Sequence, residues 1–333
     1  MCSDRFAGVE RHVAMLAGVQ RQAGAAVAVV GGDEEPMRRD IGREDVVFRP
    51  TGGLLHTIRT ARPLARSADI VHAHMTASEV AVVIAALGAD TSVVATRHFA
   101  GGRGRTPLNR WVGRRAAARI DAQIAVSAFA ARYVEGPSVV VHAGVHNRGP
   151  VDPATREPTI LVAQRLESEK RTDVALDAFA ASRLAERGWS LLVAGTGTLR
   201  AQLERHADRR GIGASTWFLG HRDDVHDLMG SVGMLLAPVP DEGYGLAVVE
   251  AMAAGLPVVA AAGGGHLETV GTVSGSALFP PGDAVAAAAL LAELAADHAT
   301  RAAYSEALRT VQRQQFTLEA QEKATDAVYR SVL

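Results

Sequence analysis

The sequence predicts an α/β protein built as two doubly wound parallel-sheet domains facing across a cleft. Three observations carry that expectation. Strand-like and helix-like stretches alternate from end to end. A turn-rich segment divides the chain near its middle. The length of 333 residues suits two cores of about 150 residues each better than one.

In the first half, short apolar runs at Ala26–Val30, Asp69–His72, Ser92–Thr96, Gln123–Val126 and Ser138–His142 read as buried parallel strands. Helical patterns separate them at Val9–Gln22, Leu54–Ser67 and Pro107–Arg119. The second half repeats the scheme, with strands near Thr159–Ala163, Ser190–Ala194, Thr216–Leu219, Gly233–Ala237 and Pro257–Ala261. Between the halves, Asn147–Pro158 carries Gly149, Pro150, Pro153 and Pro158 without periodicity and reads as a linker. Domains are therefore expected over residues 1–150 and 151–316. Ligand is expected at the carboxyl ends of the strands. Only Met1–Ser3 precede the loop Asp4–Gly8, which leaves the first strand either a stub or one that starts upstream.

Composition narrows the class. Apolar residues make up 48% and charged residues 21%, as in water-soluble globular chains. Aromatics are only 5%, so Ala, Val and Leu must build the cores. The single cysteine, Cys2, forbids an internal disulfide and fits a reducing, cytoplasmic compartment. The longest clean apolar run, Val80–Ala89, is too short to span a bilayer, and no basic stretch followed by an apolar core marks a signal peptide. Net charge is −1 but unevenly spread. Residues 1–150 carry 19 Arg against 13 Asp and Glu, whereas residues 151–333 carry 16 basic against 23 acidic side chains. A basic first half fits an anionic acceptor or a peripheral membrane contact, or ordinary variation between domains. The basic stretch Arg103–Arg119 keeps the anionic options open, and nothing in the chain asks for nucleic acid.

The most specific local pattern is Asp241-Glu-Gly-Tyr-Gly-Leu-Ala-Val-Val-Glu250, ending at Gly255 and Pro257. A strand, a glycine turn and a helix start together make an expected anion site, with the amides of Gly243, Tyr244, Gly245 and Leu246 expected to point at a phosphate. Glu250, inside the first turns of the helix, can take two vicinal ribose hydroxyls. Glu242, in the turn, can reach sugar hydroxyls beyond the phosphates. Each such charged hydrogen bond is worth roughly 1.5–3 kcal/mol.

Positive charge comes from Arg165 and Lys170, which follow the first strand of the second half. Together they could neutralise a diphosphate leaving group, the role Mg²⁺ plays elsewhere. Only Lys170 and Lys323 among 35 basic residues are lysine, so a flexible point charge at 170 departs from the chain's habit. Taken alone, the pair reads equally well as helix-start charge pairing with Glu167 or Glu169. No Asp-x-Asp occurs, and no His, Cys or Asp cluster has metal-ligand spacing in the sequence. No metal and no cofactor are expected.

Further landmarks run in order along the chain: Ala7-Gly8-Val9-Glu10-Arg11, Asp69-Ile-Val-His-Ala-His74, Ala95-Thr-Arg-His98, Ile124-Ala-Val-Ser127 and His142-Ala-Gly144-Val145. In the second half come Gln164-Arg165-Leu166 with Lys170, Gly195-Thr-Gly197, Leu219-Gly220-His221-Arg222, the Glu242/Glu250 pair, Gly264-Gly265-His-Leu-Glu268 and Pro280-Pro-Gly-Asp283. In this order and spacing the chain resembles the family 4 retaining glycosyltransferases of GT-B fold (glycosyl transferases group 1). The resemblance implies transfer of a sugar, without metal, from a nucleotide diphosphate donor, UDP being the commonest, to a small, sugar-phosphate or lipid-linked acceptor. It implies a catalytic set of Glu242, Arg165, Lys170 and His98, with His98 beside the transferred sugar. Donor contacts would come from Gly8, Gly243, Tyr244, Gly245, Leu246 and Glu250, with Gly195, His221 and Arg222 in the base-binding loops. The last helix, about 317–333, would cross back onto the first domain, which would take the acceptor. The departures are Ala7 where the family has glycine, Gln164 where glycine is usual, and the short first strand. Histidines that end apolar strands, as His72, His74 and His98 do, also serve as satisfied structural groups.

Rival classes make different demands. A dinucleotide-dependent oxidoreductase needs Gly-x-Gly-x-x-Gly after its first strand, and neither Gly101-Gly102-Arg-Gly104 nor Gly263-Gly264-Gly265 has that spacing. A non-catalytic nucleotide-sugar-binding protein could keep every feature above, and a GT-B epimerase or phosphorylase is a nearer rival. No carboxylate in the first half stands out as the nucleophile that retaining glycosidases use.

Overall fold

A computed structural model describes residues 1–101, 106–149, 151, 152 and 155–333. Arg103 and Arg105 of the basic stretch, and Pro150 and Pro153 of the expected linker, lie outside the described residues. Two compact units emerge: Met1–Gly144 together with Phe316–Leu333, and Val145–Gln315. Both are α/β with parallel strands.

The first unit holds two sheets. β1 (Ala28–Val30) pairs in parallel with β2 (Val47–Arg49). The other sheet runs β3 (Ile70–His74), β4 (Ser92–Arg97), β5 (Ala122–Ala125), β6 (Val139–Val140), all parallel. Met1–Ser3 form no named strand yet lie along β1: the Met1 amine donates to the Val30 carbonyl and the Gly32 amide to that of Ser3. Gly31 is obligatory there, since a Cβ would sit 2.1 Å from the Met1 carbonyl oxygen. Its cores are built largely of small and branched residues, as the scarcity of aromatics predicts, among them Val9, Val13, Ala14, Val29 and Phe48 on one side and Ala73, Val82, Val93 and Ala95 on the other.

The C-terminal helix Leu318–Arg330 packs on the first helix, Gly8–Gln22. Thr317 caps it, its hydroxyl accepting from the Ala320 amide. Gly144 passes so close beneath that a Cβ would lie 2.1 Å from the Thr317 carbonyl oxygen.

The second unit is one six-stranded parallel sheet. Its strands are β7 (Glu157–Ala163), β8 (Ser190–Ala194), β9 (Thr216–Gly220), β10 (Val232–Ala237), β11 (Val258–Ala261) and β12 (Ala277–Phe279), in the order β12-β11-β10-β7-β8-β9. Continuous apolar runs such as Ile160–Leu161–Val162 are fully buried because helices cover both faces. Phe179 and Phe279 fill the largest gaps. Pro158 is the second residue of β7 rather than part of a linker. The chain winds outward from β7 through β8 and β9, then returns to β10 on β7's other side. That reversal opens a crevice at the carboxyl ends of β7 and β10, where doubly wound sheets take ligands.

Candidate functional site

Several sequence-predicted residues meet at the crevice between β7 and β10. Lys170 follows β7 in a short turn, Ser168–Lys170, before the helix Thr172–Ser182. Gln164 fixes that turn, its carboxamide donating to the Lys170 carbonyl at 2.7 Å and to the Thr172 hydroxyl at 3.0 Å. Glutamine where the family has glycine therefore has a local task. Glu242 arrives from the β10 side, and Lys170 Nζ donates to its Oε2 at 2.7 Å. Both side chains are about four-fifths buried. Burial pushes the Glu242 carboxyl up, but the Lys170 ammonium and its hydrogen bond pull it down, and the balance lies below the usual carboxylate range.

The turn carrying Glu242 is held by glycines. Gly245 adopts φ +88° and caps the helix Leu246–Ala253, which aims the helix start at the crevice. A second run, Gly263-Gly264-Gly265, packs backbone to backbone on the same turn. The Gly265 amide donates to the Glu242 carbonyl at 2.7 Å. A Cβ on Gly264 would meet the Glu242 carbonyl oxygen at 2.3 Å, and one on Gly265 would meet the Tyr244 Cα at 2.5 Å. The glycine-dense run thus shapes the turn rather than cradling a dinucleotide. His266 completes the wall, with Nδ1 bonded to the Ala261 carbonyl at 3.1 Å and the ring beside Gly245. Burial lowers its pKa, and the Glu242 charge works against that shift.

Glu250 is buried on the helix Leu246–Ala253, with His226 Nε2 at 3.3 Å from its Oε1. His226 escaped sequence reasoning because it stands within no recognisable local pattern, and His266, though inside the landmark Gly264–Glu268, was assigned no role there. The Tyr244 side chain is buried, which raises its pKa well above the ordinary phenol value. Arg165 is placed differently from Lys170: it is exposed and pairs with Glu169 at 2.9 Å. Such an i,i+4 pair is worth only about 0.3–0.5 kcal/mol, so an incoming anion can recapture the guanidinium. Gly195 ends β8, its amide on the Gly220 carbonyl, and a Cβ would meet the Gln164 carbonyl oxygen at 1.9 Å. His221 and Arg222, just past β9, are exposed and pair with Asp223 and Asp224. Asp283 caps the helix Ala284–Ala296, a structural task.

The first unit gathers a second constellation from distant positions. Gly8 opens the helix Gly8–Gln22, and a Cβ there would touch nothing within 4 Å. Ala7, at φ −149°, is extended backbone that alanine tolerates. Buried Glu10 accepts the Ala7 amide at 3.1 Å. His98, past the end of β4, lies 3.0 Å through Nε2 from His74 Nδ1. His72 bonds the Tyr329 hydroxyl at 2.6 Å and the Thr96 hydroxyl at 2.7 Å. Gln321 accepts the Gly144 amide through Oε1 and presents its N–H to His12 Nε2, so the His12 proton sits on Nδ1. Burial brings His12 down to about 4 and, helped by His12, brings His72 to about 3. His74 and His98 are also lowered by burial and by neighbouring imidazoles. All four are neutral at pH 7. Below β4, Arg97 is buried against Glu79 at 3.2 Å and donates to the Gly101 carbonyl at 2.7 Å, which pins the loop after His98.

His12, His74 and His98 also offer ring nitrogens within 4.8 Å of one another, a grouping with the composition of a metal-ligand set. Sequence spacing hid it, because the three residues come from three separate elements. Among the described residues no other such grouping occurs.

Two parallel-sheet units, with a charged crevice at the switch point of the second, define a GT-B architecture. The family comparisons agree. Residues 146–311 match the family described as glycosyl transferases group 1, and residues 6–146 match glycosyltransferase family 4. The chain belongs to the GT-B-fold glycosyltransferases. It is 25% identical to the lipopolysaccharide core biosynthesis mannosyltransferase LpsB of Rhizobium meliloti, over 99% of this chain and 95% of that one. It is 29% identical to LpcC of Rhizobium leguminosarum, a mannosyltransferase of the same description, over 69% of each. Among solved structures, Anabaena HepE in complex with UDP-glucose superposes with a TM-score of 0.84 at 20% identity, covering 99% and 98% of the two chains.

Proposed function

We propose that the chain is a retaining glycosyltransferase that moves a hexose from a nucleoside diphosphate sugar to a small, sugar-phosphate or lipid-linked acceptor. The observation that carries this reading is the Lys170–Glu242 pair at the switch point, beside the Gly245 helix start. Lys170, Arg165 and the amides of Gly243–Leu246 take the diphosphate, so the charge that builds on the leaving phosphate meets preorganised donors. Glu250 holds ribose hydroxyls. Glu242 turns from Lys170 to the sugar hydroxyls. In the first unit the Gly8 amide and neutral His98 serve the sugar or its phosphate. Gly195, His221 and Arg222 belong to the loops that read the base.

The reaction proceeds on one face of the sugar, with the leaving phosphate helping to deprotonate the acceptor. Protein cations and amides neutralise the leaving group, and no divalent ion is required. HepE, solved with UDP-glucose, supports UDP as the donor base. A mycobacterial relative described as a GDP-mannose-dependent mannosyltransferase, 43% identical over 28% of this chain, supports GDP as the second candidate. The lone Cys2 supports a cytoplasmic reaction.

Calorimetric titration of UDP, GDP, UDP-glucose and GDP-mannose in chelator-treated buffer tests the donor site, and micromolar binding of one of them is expected. Glu242→Ala is expected to abolish transfer while nucleotide affinity stays within a few-fold. Failure of every nucleotide to bind would end this reading.

A further inference from the structure

The first unit carries a basic and apolar surface that the sugar chemistry does not use. The helix Pro107–Ala117 buries Gly113 and Ala116, leaves Val112 and Ala117 half-buried, and exposes Leu108, Asn109, Arg110, Trp111, Arg114 and Arg115. Leu108 is 67% and Trp111 58% exposed, at the i, i+3 spacing that puts them on one face. The same helix exposes Arg110 and Arg115, exposed Arg119 follows its end, and Arg115 lies over the Trp111 ring at 5.3 Å. None of these three has an ion pair among the described residues. Arg114 reaches Glu135 at 3.5 Å at the rim.

The surface continues beyond this helix. Helix Thr76–Ala85 packs beside it, and helix Leu54–Ala65 packs beside that one in turn. The middle helix leaves Val80 and Ile84 half-buried, with exposed Leu87 just past its end. The outer helix exposes Leu55, and Arg59 and Arg62 project with it. Across these three helices the only acidic residue is Glu79, buried against Arg97. An apolar strip flanked by arginines, with no exposed carboxylate on the three helices themselves, fits a plane that is anionic at its surface and apolar beneath; the exposed acids nearby, Asp90, Asp121 and Glu135, lie past the helix ends or on neighbouring segments.

We propose that this three-helix face docks the protein on an anionic lipid bilayer, with Trp111 and Leu108 entering the headgroup region and the arginines on lipid phosphates. A nucleic acid would match the charge but not the outward Leu55, Leu87 and Leu108. The proposal rests on the surface alone, and donor binding at Lys170 is measured separately, so either can fail without the other.

The test is co-sedimentation of the full chain with phosphatidylglycerol/phosphatidylcholine vesicles, against phosphatidylcholine alone, over a salt series. Binding is expected only with the anionic lipid, falling as salt rises. The Arg110→Ser/Arg115→Ser/Arg119→Ser variant should bind on the order of a hundredfold more weakly, from about 1 kcal/mol per arginine. Its circular-dichroism spectrum and melting temperature should match those of the native chain, which certifies its fold. Lipids brominated near the headgroup should quench tryptophan emission in the native chain and much less in Trp111→Phe. Equal affinity of the triple variant, no binding to anionic vesicles, or retention on an oligonucleotide instead would each overturn the proposal. So would a dimer that the triple substitution dissolves.

Discussion

The crevice of the second unit and the histidine cluster of the first solve opposite electrostatic problems. At the crevice an ammonium and a carboxylate lie 2.7 Å apart on a backbone that only glycine allows. The cluster instead packs four imidazoles so deeply that none carries charge at neutral pH. Under the proposed function the charged arrangement suits a polyanion, and the uncharged one suits a sugar with many hydroxyls. Two folds of one general plan have been specialised by which polar groups they leave ionised.

The largest effect should come from breaking the charged side of this contrast. Lys170→Ala removes the cation proposed to meet the leaving phosphate and should lower kcat by about 10²–10³; steady-state kinetics with saturating donor reads it. Lys170→Arg should not rescue fully, because a planar fork does not replace a point charge. Gly264→Ala puts a methyl against the Glu242 carbonyl and should cost about 2–3 kcal/mol, visible as a lowered melting temperature. Gly8→Ala, with open space at its Cβ, is the matched control and should leave stability within about 0.5 kcal/mol.

The neutral side is sharpened by pH. His12 and His72 are neutral when folded down to about 4 and about 3, yet in the unfolded chain they take up protons near pH 6.5. The unfolded state therefore binds more protons below that pH, and stability falls as pH drops from about 6.5 towards 4. Each imidazole contributes up to about 1.4 kcal/mol per pH unit. Urea unfolding of His72→Gln should have a shallower pH slope than the native chain. The smallest effect belongs to Arg165→Ala. Loss of its exposed pair with Glu169 should change stability by less than about 0.5 kcal/mol, while KM for the donor rises.

What the sequence made legible was local. Glu242, the Gly243–Leu246 turn and Glu250 share one short segment, so spacing alone could group them. Lys170 was legible because lysine is rare here. The pairing of Arg165 with Glu169 was one of the alternatives the sequence offered, beside Glu167 and a diphosphate. What stayed hidden was assembled by the fold. His72 meets Tyr329 across 257 positions, and His12 meets Gln321 across 309. The Gly263–Gly265 run could not be assigned to the Glu242 turn until β10 and β11 stood side by side. β2 and β12 were not singled out in the sequence; three residues show no period of their own, and β1, equally short, was read only within the longer apolar run Ala26–Val30.

The first unit is discontinuous: Phe316–Leu333 complete what Met1–Gly144 begin. During synthesis, Val145–Gln315 is a contiguous stretch and can consolidate as soon as it clears the ribosome. The amino-terminal portion must wait for the final eighteen residues before Gln321 can satisfy Gly144 and His12. The usual order of cotranslational folding, amino end first, is then expected to be reversed. A nascent chain stalled before Phe316 would display a finished partner and an open, protease-sensitive beginning.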